Sequence, residues 1–414
     1  MKLICNKTRK DPKGRVLKKG ETYSKGKNLY VFSYTDPCGK RNSFYAKDIK
    51  KLRDKEKMLQ RNLFDGLDAY LLAKADVNYV FDRYIETKYG LKNSTKANYI
   101  YAYNKYVRDT LGKRKLSTVR YSDVVLFYKT LLDKGLSAGT IDNVHTVLHS
   151  ALQIAVRDNI IRMNPADGAM AEVKRRIGRV SSRHSLTYEQ EKAFLDYIEN
   201  NPDEERWVSL FTVMFGTGCR IGEIIGLRWD DVDFENRMIN INHNVTYGPR
   251  VDNSFKCEFD VTLPKTKAGI RNIPMLDKVY NVLVKEKGVQ EQKVRRSNYE
   301  LAGMKNFVFY NRYGTIHNPS SINRVIKRIV NDYNNNEILQ AMSEDRDPVI
   351  IPQFSCHIAR HTFCSRLCEN DSNIKLIQQV MGHKDIQTTL DIYSEISECK
   401  CKEIFDGLNY KNVI

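Results

Sequence analysis

Apolar and polar positions alternate with a period of two in much of the first 50 residues, which predicts a small β-sheet. The alternation is clearest in residues 29–34, where Tyr30 and Phe32 share one face. A charged stretch with helical character follows the last strand. The predicted elements are strands over residues 15–19, 29–34 and 43–46, a turn over residues 36–39, and a helix that begins near Ile49 and is capped by Asp48.

The spacing changes between residues 77 and 164, where apolar residues recur every three or four positions and predict a compact helical module. Its clearest helix spans residues 140–161, and Gly112 and Gly135 separate it from earlier helices. The pair Asn164-Pro165 ends it. We interpret the many tyrosines of this module as core residues rather than as platforms on which bases stack.

The remaining chain predicts an irregular linker followed by a mixed domain. Residues 166–182 combine Gly and Ser with a run of Arg and Lys, which is typical of a linker that could also follow a DNA backbone. From Leu186 onward, helices surround strands predicted over residues 237–245, 259–263 and 270–275. The predicted fold is therefore multidomain α+β. It has a small three-stranded β-sheet plus helix at the N-terminus, a helical domain, and a mixed, mainly helical domain with a small antiparallel sheet.

The net charge of the chain indicates what kind of molecule it binds. The 414 residues contain 68 Lys and Arg against 50 Asp and Glu, a formal net charge of +18. Residues 1–60 hold 18 basic and 6 acidic residues, which is two thirds of the excess in about a seventh of the chain. Such a concentration indicates a polyanionic partner, and the interleaved aromatic residues favour an ordered nucleic-acid-binding module over a solvated arm. Tyr30, Phe32 and Phe44 could form the core of this module or line its DNA-facing surface, and the two faces of a strand allow both.

Cysteine usage and hydropathy predict a cytoplasmic protein. The nine cysteines form no disulfide-like framework, and no charged-then-apolar leader opens the chain. No apolar run approaches the roughly 18 residues that a membrane span needs. The pairs Cys364/Cys368 and Cys399/Cys401 lack the flanks of a zinc knuckle, so we interpret them as buried or incidental thiols rather than as a metal site.

Four separated segments contain candidate chemistry. Taken singly, each has an ordinary interpretation: a packed turn, a solvated hairpin tip, a capped helix with a satisfied histidine, and a packing tyrosine. His357 and His361 are four residues apart, but the glutamate that zinc proteases place after the first histidine is missing. The segments are residues 216–223 with Arg220 and Glu223, residues 264–271 with Lys265 and Lys267, residues 357–363 with His357 and Arg360, and residues 379–393 with His383 and Tyr393.

Taken together, the order Arg, Lys, His-x-x-Arg, Gly-His and Tyr resembles the catalytic domain of the tyrosine recombinase family of lambda-type integrases. The resemblance covers roughly residues 186–397. The helical module resembles the core-binding domain of that family, and the basic start resembles the arm-binding domain of conjugative-transposon integrases. Two departures are small: Gly269 replaces a frequent Ser or Asn, and Cys356 precedes the histidine where polar residues are frequent.

The resemblance implies a metal-free phosphoryl transfer without a cofactor. Arg220 and Arg360 would bind the non-bridging phosphate oxygens with permanently cationic forks, as metal ions do elsewhere. Tyr393 would attack phosphorus to give a 3′-phosphotyrosine and a free 5′-hydroxyl. A free phenol has a pKa of about 10, so a base must assist it at neutral pH. His357 is implied as that base or as a phosphate donor, Lys265 as the acid for the leaving oxygen with Lys267 as its rival, His383 as a second phosphate donor, and Glu223 as a brace for Arg220.

The same resemblance implies the organisation and partners of the chain. The function implied is a site-specific integrase that inserts and excises a mobile element such as a conjugative transposon. Its partners would be double-stranded DNA at core and arm sites, three further copies in a homotetramer on two DNA sites, and a small excision factor. The tail would dock on a neighbouring protomer. The domains are residues 1–72 for arm-type DNA, 77–166 for core binding, 167–185 as linker, 186–397 for catalysis and 398–414 as tail.

Other functions remain open at this point. A phage or host recombinase that resolves circular DNA would use the same chemistry, although the basic N-terminal module favours a mobile element. A catalytically silent DNA-binding regulator could share the scaffold, but the intact set of six polar residues argues against it. A structural or RNA-binding protein would explain the charge and leave the order of these residues unexplained.

Overall fold

The computed structural model describes residues 9–35, 41–64, 74–177, 185–251, 254–263, 269–292, 299–370 and 373–394. The chain divides into two compact units, Met1–Val180 with Arg250–Phe255, and Ser181–Pro249 with Lys256–Ile414. The predicted multidomain α+β fold is confirmed in both units. In the described part of the chain, every helix is too short or too polar to span a bilayer.

The N-terminal part of the first unit is a three-stranded antiparallel sheet packed against one helix. Phe32 lies opposite Glu21 on one neighbouring strand and opposite Phe44 on the other. Tyr30 and Phe32 are buried against Leu52, so the interpretation of these aromatic residues as core is confirmed. The elements are β1 (Glu21–Ser24), β2 (Leu29–Thr35), β3 (Arg41–Ala46) and α1 (Ile49–Phe64).

The strand predicted over residues 15–19 is wrong, because the first strand begins at Glu21. Gly20 adopts a left-handed φ of 89°, which closes a turn immediately before the strand. The carboxylate of Glu21 accepts hydrogen bonds from the Lys18 backbone N–H at 2.7 Å and from Arg53 Nε at 2.9 Å. Glu21 is thus held at the start of the strand by a turn and by a partly buried ion pair. The turn predicted over residues 36–39 lies outside the described residues.

The helical module of the first unit has a single apolar core. Tyr103 and Tyr128 are fully buried in it, and the Phe81 ring stacks on Tyr103 with centroids 3.6 Å apart. The interpretation of the tyrosines as core residues is confirmed for these two, whereas Tyr89 and Tyr101 are exposed. The helices are α2 (Val77–Thr87), α3 (Asn93–Tyr106), α4 (Tyr121–Asp133), α5 (Ala138–Arg157) and α6 (Ala169–Ile177), with 3-10 turns at Leu111–Lys113 and Leu116–Thr118.

Helix α6 lies within the segment that we expected to be an irregular linker. Ala169, Met170 and Val173 are buried in the core of the helical module. Their spacing is helical, but the following run of Lys and Arg obscures it in the sequence. Part of the expected linker is therefore an integral helix of this module.

The second unit contains a large core surrounded by helices and two small antiparallel sheets. One sheet has the strand order β4-β5-β8 and the other pairs β6 with β7. Its helices are α7 (Tyr188–Asn200), α8 (Glu205–Thr217), α9 (Ile221–Ile225), α10 (Asp277–Gln292), α11 (Pro319–Ser343), α12 (Cys356–Asn370) and α13 (Ile374–Met381), with 3-10 turns at Pro202–Glu204 and Trp229–Asp231. Its strands are β4 (Val232–Asp233), β5 (Met238–Ile241), β6 (Asn244–Pro249), β7 (Cys257–Thr262) and β8 (Arg271–Pro274).

The single strand predicted over residues 237–245 is two strands that belong to different sheets. Asn242 and His243 separate them. The Asn242 amide donates to Asp231 Oδ1 at 2.8 Å, and His243 Nε2 lies 2.7 Å from the Gly226 carbonyl oxygen. These local side-chain bonds interrupt the strand. The strands that flank the predicted hairpin of Lys265 belong to different sheets. Strand β7 pairs with β6, and strand β8 pairs with β5.

Candidate active site

Arg220 stands at the start of a short helix whose position depends on a glycine. Helix α8 ends at Gly218, which has a left-handed φ of 59°. A Cβ atom at Gly218 would collide with the ring of Phe363 on α12, so only glycine allows this close approach. Arg220 then caps α9, as predicted from the sequence. Its side chain remains 41% exposed, which leaves the guanidinium accessible to a ligand.

Glu223 orients Arg220 from the first turn of α9. Its carboxylate accepts the Arg220 backbone N–H at 2.8 Å and Arg220 Nη1 at 2.9 Å. The predicted brace is therefore present. Burial opposes ionisation of Glu223, but the hydrogen bonds and charge of Arg271, together with the charge of Arg220, more than offset burial and lower the pKa of this carboxyl group. Glu223 is thus anionic at neutral pH.

Arg271 is the member of this cluster that the sequence reasoning missed. It donates to both oxygens of Glu223, from Nη1 at 3.1 Å and from Nη2 at 2.9 Å, and the two side chains are only 6% and 5% exposed. A signal was available, because strand alternation puts Arg271 on the same face as the buried Ile273. An arginine on the apolar face of a strand indicates a buried ionic partner.

Arg360 approaches the same place from α12. It is 3% exposed, and its guanidinium donates to the Gly218 carbonyl at 2.8 Å and to the Met381 carbonyl. Burial and the positive charges of Arg220 and Arg271 lower the pKa of Arg360 to about 10, while Glu223 opposes the shift. The group therefore remains a cation at neutral pH in a strongly positive environment.

His383 follows α13 in a turn that Gly382 closes with a left-handed φ of 63°. Its Nδ1 lies 3.0 Å from Thr389 Oγ1, and the residue is buried. Burial, followed by the charges of Arg360, Arg220, Arg271 and His357, lowers the pKa of His383 to about 3. The imidazole is therefore neutral at neutral pH. These charge effects on the pKa of His383 indicate that Arg220, His357 and Arg360 lie close enough to interact with it electrostatically, although the segments are separate in the sequence.

Of the other predicted site residues, His357 and Tyr393 lie in the described part of the chain and the two lysines do not. His357 is exposed in the first turn of α12, three residues before Arg360. Tyr393 lies on a helix over residues 387–394, one turn beyond Thr389 and therefore on the same face as the partner of His383. Its ring packs against an apolar cluster of Cys364, Cys368, Ile377, Met381 and Ile392. Lys265, Lys267, Cys399, Cys401 and the tail over residues 398–414 lie outside the described residues, whereas Cys364 and Cys368 are buried as expected.

Comparison with known proteins shows which family has this arrangement of residues. Residues 184–399, more than half of the chain, match the phage integrase family. The chain belongs to that family. It is therefore a tyrosine-type site-specific recombinase, as the order of its four polar segments implied. Residues 5–63 of this integrase match the DNA-binding domain of Tn916 integrase, in agreement with the predicted N-terminal module.

Individual relatives of the integrase include two transposon proteins and a lambda integrase. The transposase from transposon Tn916 of Enterococcus faecalis is 28% identical over 399 residues, which is 93% of each chain. The Tn1549 transposon integrase, solved with transposon right-end DNA, superposes with a TM-score of 0.67 at 28% identity, covering 80% of this chain and 99% of that one. A lambda integrase dimer on a core site shares the fold, with a TM-score of 0.53 at 17% identity, covering 92% and 95% of the two chains.

The charges of the cluster are unbalanced. Among the described residues, Arg220 and Arg271 share the Glu223 carboxylate, whereas Arg360 donates to the Gly218 and Met381 carbonyls. A buried cation without a counter-ion is costly, so this integrase holds an excess of positive charge where an anion would be stabilised. The exposed fork of Arg220 and the neutral imidazole of His383 add directional hydrogen-bonding groups. The arrangement suits a phosphodiester with two non-bridging oxygens.

Proposed function

We propose that this integrase inserts and excises a mobile element of the conjugative-transposon type by cutting and rejoining its DNA ends through a covalent tyrosine intermediate. The observation that carries the proposal is the cluster of three guanidinium groups, in which Arg220 and Arg271 bond Glu223 and Arg360 bonds backbone carbonyls. The relatives support the choice of DNA. Solved structures of the Tn1549 integrase contain transposon right-end DNA and circular-intermediate DNA, and these share 28% and 27% identity with this chain.

In the proposed mechanism, Arg220 and Arg360 hold the non-bridging oxygens of the scissile phosphate. Charge that accumulates on these oxygens in the transition state is stabilised by cations that are already in place. His383 contributes a third donor. For its Nε2 to carry the proton, its Nδ1 must accept, so the Thr389 hydroxyl must donate across the 3.0 Å contact. The low pKa of His383 keeps it in this neutral, donating form.

Tyr393 is the proposed nucleophile. Its phenol oxygen bonds to phosphorus as the bond from phosphorus to the 5′ oxygen breaks, which leaves a 3′-phosphotyrosine and a 5′-hydroxyl. The phenol proton passes to a base, for which His357 is the candidate. Lys265 would protonate the departing 5′ oxygen, with Lys267 as the alternative. The covalent link conserves the energy of the phosphodiester, so the reverse attack reseals the strand without a cofactor or metal.

The remaining domains have proposed roles in assembly. Residues 1–72 would bind arm-type DNA, residues 77–166 together with α6 would bind the core site, the rest of residues 167–185 would connect them to the catalytic domain over residues 186–397, and residues 398–414 would dock on a neighbour. Exchange between two duplexes cuts four strands, so four copies in a homotetramer supply four tyrosines. A small excision factor and a bacterial cytoplasmic location, associated with the nucleoid, complete the proposal.

A nicked half-site taken from the end of the element tests the reaction. Cleavage releases a short strand from such a substrate, which traps the covalent intermediate. We expect wild-type protein to form a DNA adduct that survives denaturation, and Tyr393→Phe to bind the same DNA without forming it. Binding by wild-type protein without any adduct would contradict the proposed chemistry and favour a silent regulator. An adduct that persists in Tyr393→Phe would assign the nucleophile to another residue.

A further inference from the structure

We propose that Arg271 is a positioning residue for the cleavage reaction, acting through Glu223 on Arg220 and through the end of α13 on His383. The inference rests on the proposed function of Arg220 and His383 as phosphate-binding groups. The Arg271 side chain is only 6% exposed, so it is not itself available to a DNA phosphate. Its effect on the reaction must pass through the groups that it contacts.

The first of these contacts fixes the orientation of Arg220. Arg271 binds both oxygens of Glu223, and Arg220 binds Oε1 of the same carboxylate at 2.9 Å. A carboxylate held by a planar fork has one preferred orientation. Arg271 therefore determines where Glu223 holds the Arg220 guanidinium. A displacement of about 1 Å in such a group can lower a reaction rate by about 100-fold.

The same pairing determines how much of the Arg220 charge remains for DNA. One carboxylate neutralises one cation, and Glu223 is enclosed with the more deeply buried Arg271. With Arg271 in place, the positive charge of Arg220 is left for the phosphate. Without it, Glu223 would pair with Arg220 alone and would oppose the binding of an anion there. Arg271 is thus needed for charge as well as for geometry.

The second contact ties Arg271 to the turn that carries His383. Arg271 Nε donates to the Val380 carbonyl at 2.7 Å, Arg360 donates to the Met381 carbonyl, and Arg220 Nη2 donates to the Gly382 carbonyl at 2.9 Å. Three successive carbonyls at the end of α13 thus each accept from a different arginine. The last carbonyls of a helix lack helical partners and carry its negative dipole end, which suits them to cations.

This three-arginine clasp connects elements that are distant in the sequence. Arg220 comes from the start of α9, Arg271 from β8 and Arg360 from α12, and the turn that they hold leads directly to His383. Loss of the Arg271 bond would free the first of the three carbonyls and allow the turn to shift. We therefore expect changes at Arg271 to affect cleavage through both Arg220 and His383.

Arg271→Lys tests the inference, because lysine keeps the charge but cannot bind both Glu223 oxygens and Val380 at once. The matched control is Arg328→Lys, in which a fork to another buried glutamate of the same unit, Glu204, is replaced. We expect Arg271→Lys to form the half-site adduct about 100-fold more slowly than wild type while binding DNA within a few-fold. Arg328→Lys should form the adduct at the wild-type rate at a temperature where it is folded.

A double variant shows whether Arg271 acts through Glu223. Adding Glu223→Gln to Arg271→Lys should slow the adduct far less than the product of the two single effects, because both disturb one interaction. Normal adduct formation by folded Arg271→Lys, an equal loss in Arg328→Lys, or fully multiplicative effects would overturn the inference. If Arg271→Lys does not fold, Glu223→Asp provides the same test, since it keeps the charge and shortens the brace. Absence of adduct in wild type would instead refute the proposed function.

Discussion

Two buried glutamates of the second unit differ in the ratio of arginines to carboxylates around them. Glu204 and Asp332 both bond Arg328, which places one guanidinium between two carboxylates and raises its pKa through the hydrogen bond to Glu204. Around Glu223 the ratio is reversed, because the guanidinium groups of Arg220 and Arg271 share one carboxylate. Burial and the neighbouring cations also lower the pKa of Arg360. The first arrangement is satisfied within the protein. The second keeps a net positive charge that an added anion would neutralise.

The comparison explains how an unbalanced cluster can exist in a folded protein before DNA arrives. The negative end of α13 supplies three carbonyls to the three arginines, and these carbonyls take the place of further carboxylates. A carbonyl stabilises a guanidinium without cancelling its charge. The arginine cluster therefore keeps a positive charge that would attract a phosphate, whereas the charge of Arg328 is neutralised by its carboxylates.

Removing one arginine from each arrangement, around Glu223 and around Glu204, is the strongest test of this difference. We expect Arg360→Ala to lower the rate of half-site cleavage by about 100- to 1,000-fold, the range for losing one preorganised donor. Its free energy of unfolding should change little, because the lost hydrogen bonds are offset by the removal of a cation buried among cations. Rates of adduct formation and denaturant unfolding measure the two quantities.

Arg328→Ala should show the reverse. It leaves the buried carboxylate of Glu204 without its fork, so we expect a loss of about 2 kcal/mol in the free energy of unfolding. The folded fraction should cleave DNA at the wild-type rate. Equal losses of activity in both variants would mean that the arginine excess has no special role in the reaction.

The sequence predicted the elements whose pattern is local and failed where a side-chain partner is distant. The alternation of residues 29–34 and the stripe of residues 140–161 correspond to β2 and α5, apart from their end residues. Glu21, the first residue of β1, pairs with Arg53, 32 residues away. No local pattern contains that information.

The candidate site shows the same division. The order of six polar residues supplied the candidate side chains, and of these Arg220, Arg360 and His383 meet at the end of α13. Arg271 was missed because its partners, Glu223 and Val380, lie 48 and 109 residues away in the chain. Its burial could be predicted from alternation, but its partners could not. The roles of all six candidate residues remain predictions that the proposed cleavage assay can test.

A pH titration sharpens the comparison because the excess charge also acts on His383. Its pKa is about 3 in the folded protein and near 6.5 when unfolded, so the unfolded state takes up the proton first as the pH falls. The stability due to neutral His383 is complete above pH 6.5 and declines between about pH 6.5 and pH 3. We expect the free energy of unfolding to fall less steeply in His383→Gln over that window.

His317 provides the internal control for this titration. Burial, aided by the charge of Arg206 and opposed by its bond to Tyr310, lowers the pKa of His317 to about 4, so it contributes with the same sign. Because it lies beside Trp207, at the other end of α8 from Arg220, His317→Gln should flatten the stability profile without changing cleavage. His383→Gln should change both. A profile that is unchanged in His383→Gln would contradict the burial of a neutral imidazole beside the arginines.

The smallest expected effect comes from Thr389, which selects the tautomer of His383. Thr389→Val removes the hydroxyl that donates to Nδ1, so the proton can move to Nδ1 and leave Nε2 unable to donate to phosphate. The loss of one neutral hydrogen bond corresponds to about 1 kcal/mol, or roughly a five-fold slower adduct. Thr389→Ser keeps the hydroxyl and should cleave at nearly the wild-type rate. If valine and serine behave alike, the hydroxyl does not set the tautomer, and His383 reaches its phosphate-binding form by other means.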